Sequence, residues 1–342
     1  MDKTTKIAKI LLVEDNMINS EVAVEMLEML LLEIDTASDG RKAVEKVMEN
    51  HYDLVFMDYL MPIMNGAAAT SEIRKSGKSP EELPIIALTA DKGEKEVLMA
   101  SGMNDVLIKP LSLKNSVRML QKYIPSKATE FEELYNLCKN ERSNAESVDG
   151  LCNIPGIDSS KAVIHCSSVD MAQKAWKDFS QVADFKKEKI NSLFANRKIN
   201  DFRIEVHALK STSAIIGAEE LSSEFEKLEL LAKAGDVESI QEELPVVMAE
   251  YMDMKNRIID ALDEEPIEQL EVPNNSIISL LDQLINASNE IFLDGVDGCL
   301  AELERCILPE NMLSEFNKLK YNVFEINLPE AAKIAERMKK ML

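Results

Sequence analysis

The 342-residue sequence has few cysteines, no long apolar run and a shortage of basic residues. The cysteines are odd in number and none form a C-x-x-C pair: Cys138, Cys152, Cys166, Cys299 and Cys306. This pattern predicts neither a disulfide framework nor a zinc site. Unpaired cysteines favour a reducing compartment, so we expect the chain in the cytoplasm.

The lack of long apolar runs argues against contact with a membrane, and the shortage of basic residues argues against a nucleic-acid partner. No stretch approaches the roughly 20 apolar residues that a membrane span needs, and the run from Ile10 to Val13 ends at Glu14, too early for a signal-peptide core. Lys and Arg number 39 against 61 Asp and Glu, which gives a net charge of −22. Because Lys and Arg supply most of the affinity for DNA, we expect no nucleic-acid partner and no membrane contact by this chain.

The pattern of the sequence changes near residue 125. Up to residue 124, short β-branched or apolar runs at 7–13, 34–37, 53–57, 84–88 and 105–108 alternate with helical patterns near 17–32, 40–50, 66–75, 92–101 and 112–123. This alternation predicts a five-stranded, doubly wound (flavodoxin-like) parallel sheet over residues 1–124, with its binding site at the carboxyl ends of the strands.

The remainder of the chain is predicted to be helical. Residues 125–150 are interpreted as a linker with some helical content around 131–138. A polar break at 264–275 separates a predicted helical bundle, 151–265, from a smaller C-terminal helical domain, 266–342, for which the sequence indicates no role. The predicted fold class is therefore α/β plus all-α.

Five polar residues follow the predicted strands. Glu14 and Asp15 come after the first strand, Asp58 after the third, and Thr89 and Lys109 after the fourth and fifth. We therefore expect them to converge on one edge of the sheet. Carboxylates are ligands for Mg²⁺, and a hydroxyl and an ammonium suit phosphoryl oxygens. A carboxylate can accept a phosphoryl group where such cations offset the repulsion between the two anions.

Four segments carry a specific resemblance: residues 11–16 (LLVEDN), 57–66 (MDYLMPIMNG), 87–90 (ALTA) and 109–110 (KP). Together they resemble the receiver domain of two-component response regulators, of the kind found in hybrid histidine kinases, over about residues 6–124. The resemblance implies that Asp58 is the phosphoacceptor and that Thr89 and Lys109 contact the phosphoryl group. It also implies that Mg²⁺ is bound by Glu14, Asp15, Asp58 and the Leu60 carbonyl. Val106 departs from the family, which often has a switching aromatic there. A cis bond at Lys109–Pro110 is also expected, and it would help to aim the lysine.

A second acceptor candidate is His207, which lies in a predicted helix. The spacing of that helix predicts the following buried stripe: Val206, Leu209, Ser213 and Ile216. His207 is then expected beside the stripe and facing solvent, with Lys210 and Ser211 on its face. An imidazole nitrogen can attack a phosphoryl group in line, and Lys210 would attract that group.

The sequence around His207 resembles a histidine phosphotransfer (HPt) domain. The resemblance rests on residues 207–218 (HALKSTSAIIGA), on 154–158 (IPGID) before them and on the helix around 225–232 after them, and it spans about 151–262. It implies a four-helix bundle with His207 as phosphoacceptor and Lys210 nearby. Ser211 replaces the usual glycine but keeps the position small. We interpret His51 and His165 as structural or surface residues.

Two absences limit the chemistry. The sequence has no G-x-x-x-x-G-K-[ST] loop and no Asn-rich and Gly-rich segments of the kind that form the ATP site of histidine kinases, so we expect no autophosphorylation from ATP. Leu60 stands two residues after Asp58, where a haloacid-dehalogenase-type phosphatase has a second aspartate.

These features predict a cytoplasmic phosphorelay protein or the C-terminal part of a hybrid sensor kinase. Asp58 would accept phosphate from a kinase phosphohistidine and His207 would pass it on, with each acceptor open to its counterpart. Transfer within the chain and transfer to another protein's receiver or HPt domain are both left open. The alternative is a phosphorylation-regulated interaction module in which only Asp58 is modified; a DNA-binding regulator is disfavoured by charge.

Overall fold

The structure, a computed structural model, describes residues 6–90, 92–145, 151–262, 270–290, 293–324 and 327–342. Their contacts separate two compact units, one within residues 1–179 and 193–262 and the other within 180–192 and 263–342. Among the described residues, the helices are all too short or too polar to cross a membrane.

The N-terminal part of the first unit is an α/β layer. Its strands are β1 (Ala8–Val13), β2 (Leu32–Ala37), β3 (Leu54–Asp58), β4 (Ile85–Thr89) and β5 (Asp105–Ile108), and its helices are α1 (Met17–Glu28), α2 (Gly40–Glu49), α3 (Gly66–Lys75), α4 (Lys95–Ala100) and α5 (Leu113–Tyr123). The strands pair in parallel in the order β2-β1-β3-β4-β5. The predicted five-stranded parallel sheet is confirmed. Helix α1 ends earlier than predicted, where Leu31 takes a positive φ of 54° at the turn into β2.

Alternate residues of the central strands enter two separate cores. Ile10 and Leu12 belong to a cluster with residues of α1 and α5, whereas Leu11 and Val13 belong to a cluster with residues of α2, α3 and α4. Successive side chains of a strand point to opposite faces, so a strand that is apolar throughout needs helices on both sides of the sheet. This burial on both faces leaves the carboxyl edge as the place for polar groups.

Residues 125–145, which the sequence predicted as a linker with some helical content, form a 3-10 turn followed by α6 (Ala128–Ala145). Phe131 and Cys138 are buried in the same core as α1 and α5. This stretch is therefore packed on the α/β layer rather than being a free spacer. The remainder of the predicted linker, residues 146–150, lies outside the described residues.

A helical bundle completes the first unit. Its helices are α7 (Ser159–Cys166), α8 (Val169–Ala195), α9 (Ile199–Ile215), α10 (Glu219–Ala234) and α11 (Val237–Ala261). The rings of Phe179 and Phe225 meet Tyr251 edge to face, with centroids 5.0 and 5.7 Å apart. Trp176 Nε1 donates a hydrogen bond of 3.0 Å to the Ile216 carbonyl. These large buried side chains join α8, α10 and α11 and hold the C-terminal end of α9 against α8.

The second unit is helical, as the sequence predicted. Its helices α12 (Asn274–Asn289), α13 (Leu293–Glu304), α14 (Leu313–Phe324) and α15 (Leu328–Lys339) share one apolar cluster. Residues 180–192 of α8 also belong to this unit, where Phe185 stacks on Tyr321 with ring centroids 3.8 Å apart. The sequence did not predict that contribution. Half of the polar break predicted at 264–275, residues 264–269, lies outside the described residues.

Candidate functional site

The carboxyl ends of four strands meet at one edge of the sheet, and the predicted polar residues lie there. Asp58 and Thr89 are the last residues of β3 and β4, while Glu14 and Lys109 directly follow β1 and β5. The parallel registers of the neighbouring strands bring these positions side by side. The convergence predicted from the sequence is therefore present in the fold.

Three carboxylates crowd together at this edge. Glu14, Asp15 and Asp58 each offer an oxygen within 4.8 Å of the others, and Asp58 is only 1% exposed. Burial raises the pKa of Asp15, and the charges of Asp58 and Glu14 raise it further. Burial also raises the pKa of Glu14, against the attraction of Lys109. Hard oxygen donors with an excess of buried negative charge suit a small divalent cation, so these residues fit Mg²⁺.

Lys109 holds a positive charge against the acceptor oxygen. Its Nζ lies 2.6 Å from Glu14 Oε2 and 2.8 Å from Asp58 Oδ2. Burial by itself would lower the pKa of Lys109, but the charges of Asp58 and Glu14 outweigh burial and raise it above its ordinary value. The ammonium therefore stays charged at neutral pH. The Lys109–Pro110 peptide bond is cis, as predicted.

Thr89 and Leu60 occupy the same edge. The buried Thr89 hydroxyl donates a hydrogen bond of 2.7 Å to Glu94 Oε2. Leu60 follows Asp58 in the turn after β3, and its backbone N–H lies 3.4 Å from Asp58 Oδ1. The contact of Thr89 with a phosphoryl group and that of the Leu60 carbonyl with Mg²⁺ stay predictions.

Magnesium is expected to stabilise the chain against unfolding, because it offsets the repulsion among Glu14, Asp15 and Asp58. At 100 times its dissociation constant the gain is about 2.7 kcal/mol, measured from thermal unfolding with and without the ion. Asp15→Asn should melt at a higher temperature than the wild type without the ion, since one repelling charge is gone, and should respond far less to Mg²⁺.

The gain from Mg²⁺ should also shrink as the pH falls. The pKa values of Asp15 and Glu14 are raised, so protons compete with the metal for these carboxylates at mildly acidic pH. Glu96→Gln, which removes an exposed carboxylate of α4, is the matched control. An Asp15→Asn protein that responds to Mg²⁺ as strongly as this control would rule out the assigned ligands.

His207 lies in α9 and is hydrogen-bonded to Glu229 of α10. Its Nδ1 is 2.8 Å from Glu229 Oε1, and Lys210 Nζ is 2.5 Å from Glu229 Oε2. Burial by itself would raise the pKa of Glu229, but the hydrogen bonds from His207 and Lys210 and the charge of Lys210 lower it below its ordinary value. An ionised carboxylate accepts, so we assign the imidazole proton to Nδ1, which leaves the lone pair on Nε2. Nε2 has no hydrogen-bond partner among the described residues.

The prediction that His207 faces solvent is wrong. Its exposed fraction is 5%, although the predicted stripe is buried as expected at Val206, Leu209, Ser213 and Ile216. The face of α9 that carries His207 is buried as well: Glu229 of α10 contacts the imidazole, and Ser211, one turn further along α9, lines a pocket together with Glu14 and Lys109 of the strand-end edge. Asp58 and His207 are therefore both buried, which contradicts the expectation that each acceptor is open to its counterpart.

Contacts along α9 place it against the strand-end edge. Thr212 Oγ1 lies 3.3 Å from Asn19 Oδ1, and Asn19 Nδ2 donates a hydrogen bond of 2.9 Å to Glu14. A cavity of about 150 Å³ is lined by Lys109 on one side and by Lys210 and Ser211 on the other. Lys109, which pairs with Asp58, and Lys210, which shares Glu229 with His207, thus lie on opposite sides of one interface.

Three polar residues of this region were not predicted from the sequence: Asn19, Glu94 and Glu229. Asn19 lies in the first turn of α1, three residues after its N-cap. Its position just after the end of a predicted strand could have marked it as a residue of the site. Glu229 lies 22 residues from His207 on a different helix. No local pattern marks it, because its role depends on how α10 packs against α9. His165, interpreted as a structural or surface residue, places Nδ1 2.9 Å from the Ala214 carbonyl.

A second group of charges meets where α1 approaches α8. Lys174 Nζ lies 2.5 Å from Glu21 Oε2. Asp178, one turn further along α8, is buried, and its pKa is raised to about 6 by burial and by the charge of Glu21. The carboxylate of Asp178 is therefore held in a position that disfavours its ionised form.

Asp178→Asn is expected to stabilise the protein at pH 7.5 and to have little effect at pH 4. The pKa of Asp178 in the folded protein lies above its unfolded value, so its ionisation costs stability. That cost is absent below the unfolded pKa of about 4 and is complete at pH values above about 6. The difference between the two pKa values corresponds to a cost of roughly 3 kcal/mol in the free energy of unfolding. Urea unfolding at the two pH values measures it. Glu242→Gln, at an exposed position of α11, is the control, and an equal effect of Asp178→Asn at both pH values would contradict the raised pKa.

The comparisons with known proteins fall on the α/β layer. The pattern of the response regulator receiver domain matches residues 10–121. Hybrid signal transduction histidine kinase G of Dictyostelium discoideum is 39% identical over 126 residues, which is 36% of this chain and 4% of that protein. The aerobic respiration control sensor protein ArcB of Escherichia coli is 36% identical over 141 residues, or 41% of this chain and 18% of that protein. The chain thus spans less than a fifth of the length of either relative.

A solved structure gives the same similarity. It is the receiver domain of a sensor histidine kinase from Pseudomonas aeruginosa PAO1 with a magnesium ion coordinated in the active-site cleft. It is 39% identical, with a TM-score of 0.33, and the similarity covers 34% of this chain and 98% of that one. The matched family pattern includes the whole strand-end site from Glu14 to Lys109. Residues 10–121 of this chain are therefore a response regulator receiver domain of the two-component type, homologous to the receivers of hybrid histidine kinases.

Proposed function

We propose that the chain is a phosphorelay protein in which Asp58 accepts a phosphoryl group from the phosphohistidine of a kinase and His207 accepts it in turn from Asp58. One observation carries the proposal. The acceptor oxygen of Asp58 is paired with the Lys109 ammonium at 2.8 Å, on the other side of an interface from an imidazole whose Nε2 has no partner among the described residues.

In the first step the N–P bond of the donor breaks and a P–O bond to Asp58 forms. The acceptor and the incoming group are both anionic, so their approach needs fixed positive charge. Lys109 supplies it, since the neighbouring carboxylates keep its ammonium protonated. Mg²⁺ held by Glu14, Asp15, Asp58 and the Leu60 carbonyl would neutralise more of that charge.

In the second step the P–O bond to Asp58 breaks, a bond from His207 Nε2 to phosphorus forms, and Asp58 leaves as a carboxylate. Nδ1 keeps its proton throughout, so no general base is needed. The positive charge that develops on the ring is stabilised by ionised Glu229, 2.8 Å from Nδ1. Lys210 brings a second positive charge to the same face of α9.

We further propose that residues 151–265, containing α7 to α11, serve as the HPt domain and that 266–342 form a separate helical domain. In this proposal the donor is a cytoplasmic histidine kinase domain. The HPt assignment is supported by the bundle of long helices around α9 and by the setting of His207 and Lys210, which the resemblance of residues 207–218 implies.

Incubating the wild-type chain with radiolabelled acetyl phosphate and Mg²⁺ tests the relay. An acyl phosphate on Asp58 is labile to alkali, whereas a phosphohistidine is labile to acid and stable to alkali. We expect both species in the wild type, with the phosphohistidine appearing after the acyl phosphate. Label that is entirely alkali-labile at all times would contradict a role for His207.

The burial of His207 favours one alternative function. With 5% of its surface exposed, His207 is shielded from other proteins, as expected for a phosphorylation-regulated interaction module in which only Asp58 is modified. Partner binding in that case depends on Asp58 and is indifferent to His207→Gln. The lability of the label described above distinguishes this module from the relay.

Glu229→Gln is expected to slow phosphoryl transfer to His207 about 100-fold, because a neutral amide neither fixes the Nδ1–H tautomer nor stabilises the charge on the ring. Loading of Asp58 should be unchanged. Nitrogen-15 NMR of the imidazole provides a readout independent of turnover, and it should report loss of the pure Nδ1–H tautomer. Glu220→Gln, at an exposed position of the same helix, is the comparison variant, and an unaltered tautomer in Glu229→Gln would refute this positioning role.

A further inference from the structure

We propose that Glu94 is a positioning residue that holds the Thr89 hydroxyl away from the acceptor oxygen of Asp58, so that a phosphoryl group on Asp58 must compete with Glu94 for this hydroxyl. The inference rests on the proposed phosphorylation of Asp58 and adds a residue that regulates it. One contact carries it. The hydroxyl of Thr89, a buried residue, donates a hydrogen bond of 2.7 Å to Glu94 Oε2.

The sheet places Thr89 at the same edge as the acceptor. Asp58 is the last residue of β3, and its register partner on β4 is Leu88. Thr89 follows Leu88 and ends β4, so the side chains of Asp58 and Thr89 belong to neighbouring strand ends. To change its hydrogen-bond partner, the hydroxyl has to turn from one staggered position about the Cα–Cβ bond to another.

Glu94 and a phosphoryl group would compete for one proton. A threonine hydroxyl has a single hydrogen to donate, and the resemblance of residues 87–90 (ALTA) implies that Thr89 donates it to a phosphoryl oxygen. Thr89 cannot do so while it donates to Glu94. Because a hydrogen bond to a charged group changes an equilibrium constant by about tenfold, Glu94 should weaken the binding of a phosphoryl group at Asp58 by that factor.

Glu94 also contacts the helical bundle. It ends a short 3-10 turn, Lys92–Glu94, between β4 and α4. Its second oxygen, Oε1, lies 3.7 Å from Nζ of Lys233 on α10, and this lysine is about half exposed. An exposed ion pair contributes little stability, so the main effect of Glu94 is expected on Thr89. Glu94 nevertheless connects the hydroxyl at the acceptor edge with α10.

Binding of beryllium fluoride and Mg²⁺ to the full chain tests the competition, because beryllium fluoride imitates a phosphoryl group on an aspartate. Its dissociation constant is measured by isothermal titration calorimetry. Glu94→Ala should bind it about tenfold more tightly than the wild type, and Glu94→Gln, whose amide oxygen is a weaker acceptor, about threefold more tightly. Glu96→Gln, at an exposed position of α4, controls for the loss of a negative charge and should change the affinity by less than about twofold.

A double-mutant cycle separates the hydrogen bond from the charge of Glu94. Thr89→Val lacks the hydroxyl, so Glu94→Ala in that background should change the affinity by less than about twofold. A loss of negative charge alone would tighten binding equally with and without the hydroxyl. That result, or the absence of any tightening by Glu94→Ala and Glu94→Gln in the presence of Thr89, would overturn the proposal.

Carbon-13 methyl NMR of Thr89 provides a readout other than affinity. We expect beryllium fluoride and Mg²⁺ to change the side-chain rotamer of Thr89 in the wild type, and Glu94→Ala to populate the second rotamer before any ligand is added. An unchanged rotamer on binding would contradict the release of Glu94. A wild type that binds no beryllium fluoride, or binding that survives Asp58→Asn, would refute the proposed phosphorylation of Asp58, whereas Asp58-dependent binding that ignores Glu94 would refute this inference alone.

Discussion

Asp58→Asn chains are expected to take up no label from acetyl phosphate and Mg²⁺, on the receiver or on His207. An amide oxygen is too weak a nucleophile to form the acyl phosphate, so the rate should fall by at least about 1,000-fold. Label on His207 should vanish with it, because the proposed route to the imidazole passes through Asp58. An acyl phosphate hydrolyses in an alkaline gel and would be missed there. The fraction of phosphorylated chains is therefore measured by intact-protein mass spectrometry.

The fold of Asp58→Asn should survive. The substitution removes one of three crowded carboxylates, and Lys109 keeps its contact with Glu14 at 2.6 Å. We expect a thermal midpoint within a few degrees of the wild type. Glu45→Gln, at an exposed position of α2, controls for the loss of a negative charge. Normal labelling of a folded Asp58→Asn protein would show that the acceptor is another residue.

His207→Gln chains are expected to form the acyl phosphate on Asp58 and to retain it. The glutamine amide has no nucleophilic lone pair, so the acid-labile, alkali-stable species should be absent, a loss of at least about 1,000-fold in transfer. The acyl phosphate should then accumulate to a higher level than in the wild type, because its route of discharge is closed. Intact mass and the lability of the label to alkali measure the two effects.

His51→Gln is the matched control for that variant, since His51 is exposed on the receiver and away from the strand-end edge. It should label as the wild type does. Because His207 contacts Glu229 in the packed interior, the stability of His207→Gln must be checked by urea unfolding. Alkali-stable label that persists in a folded His207→Gln protein would place the phosphohistidine elsewhere.

The receiver part of the site could be predicted because it depends on local pattern. A residue such as Asp58 lies at the end of a continuous apolar run, and parallel strands in a doubly wound sheet present their carboxyl ends at one edge. The positions of Glu14, Thr89 and Lys109 follow from the same rule. The presence of two layers of core follows as well, since Leu11 and Leu12 are both apolar and point to opposite faces.

The surroundings of His207 could not be predicted in the same way. Helical spacing placed the imidazole beside the buried stripe, on a face expected to meet solvent. Its burial depends on Glu229 from α10 and on the receiver edge, which lie far from it in the sequence. The choice of Glu229 rather than Glu226 depends on the rotation of α10 about its own axis.

The sequence by itself determined the order of strands and helices along the chain, the acidic strand-end cluster around Asp58 and the candidacy of His207, because each depends on residue type and spacing within a short segment. Only the tertiary structure decided that α9 docks on the receiver edge, that Glu229 orients His207, and that part of α8 packs with the C-terminal helices. Periodicity says which face of a helix must be covered. Which neighbour covers it depends on contacts between distant segments, and those leave no local signal in the sequence.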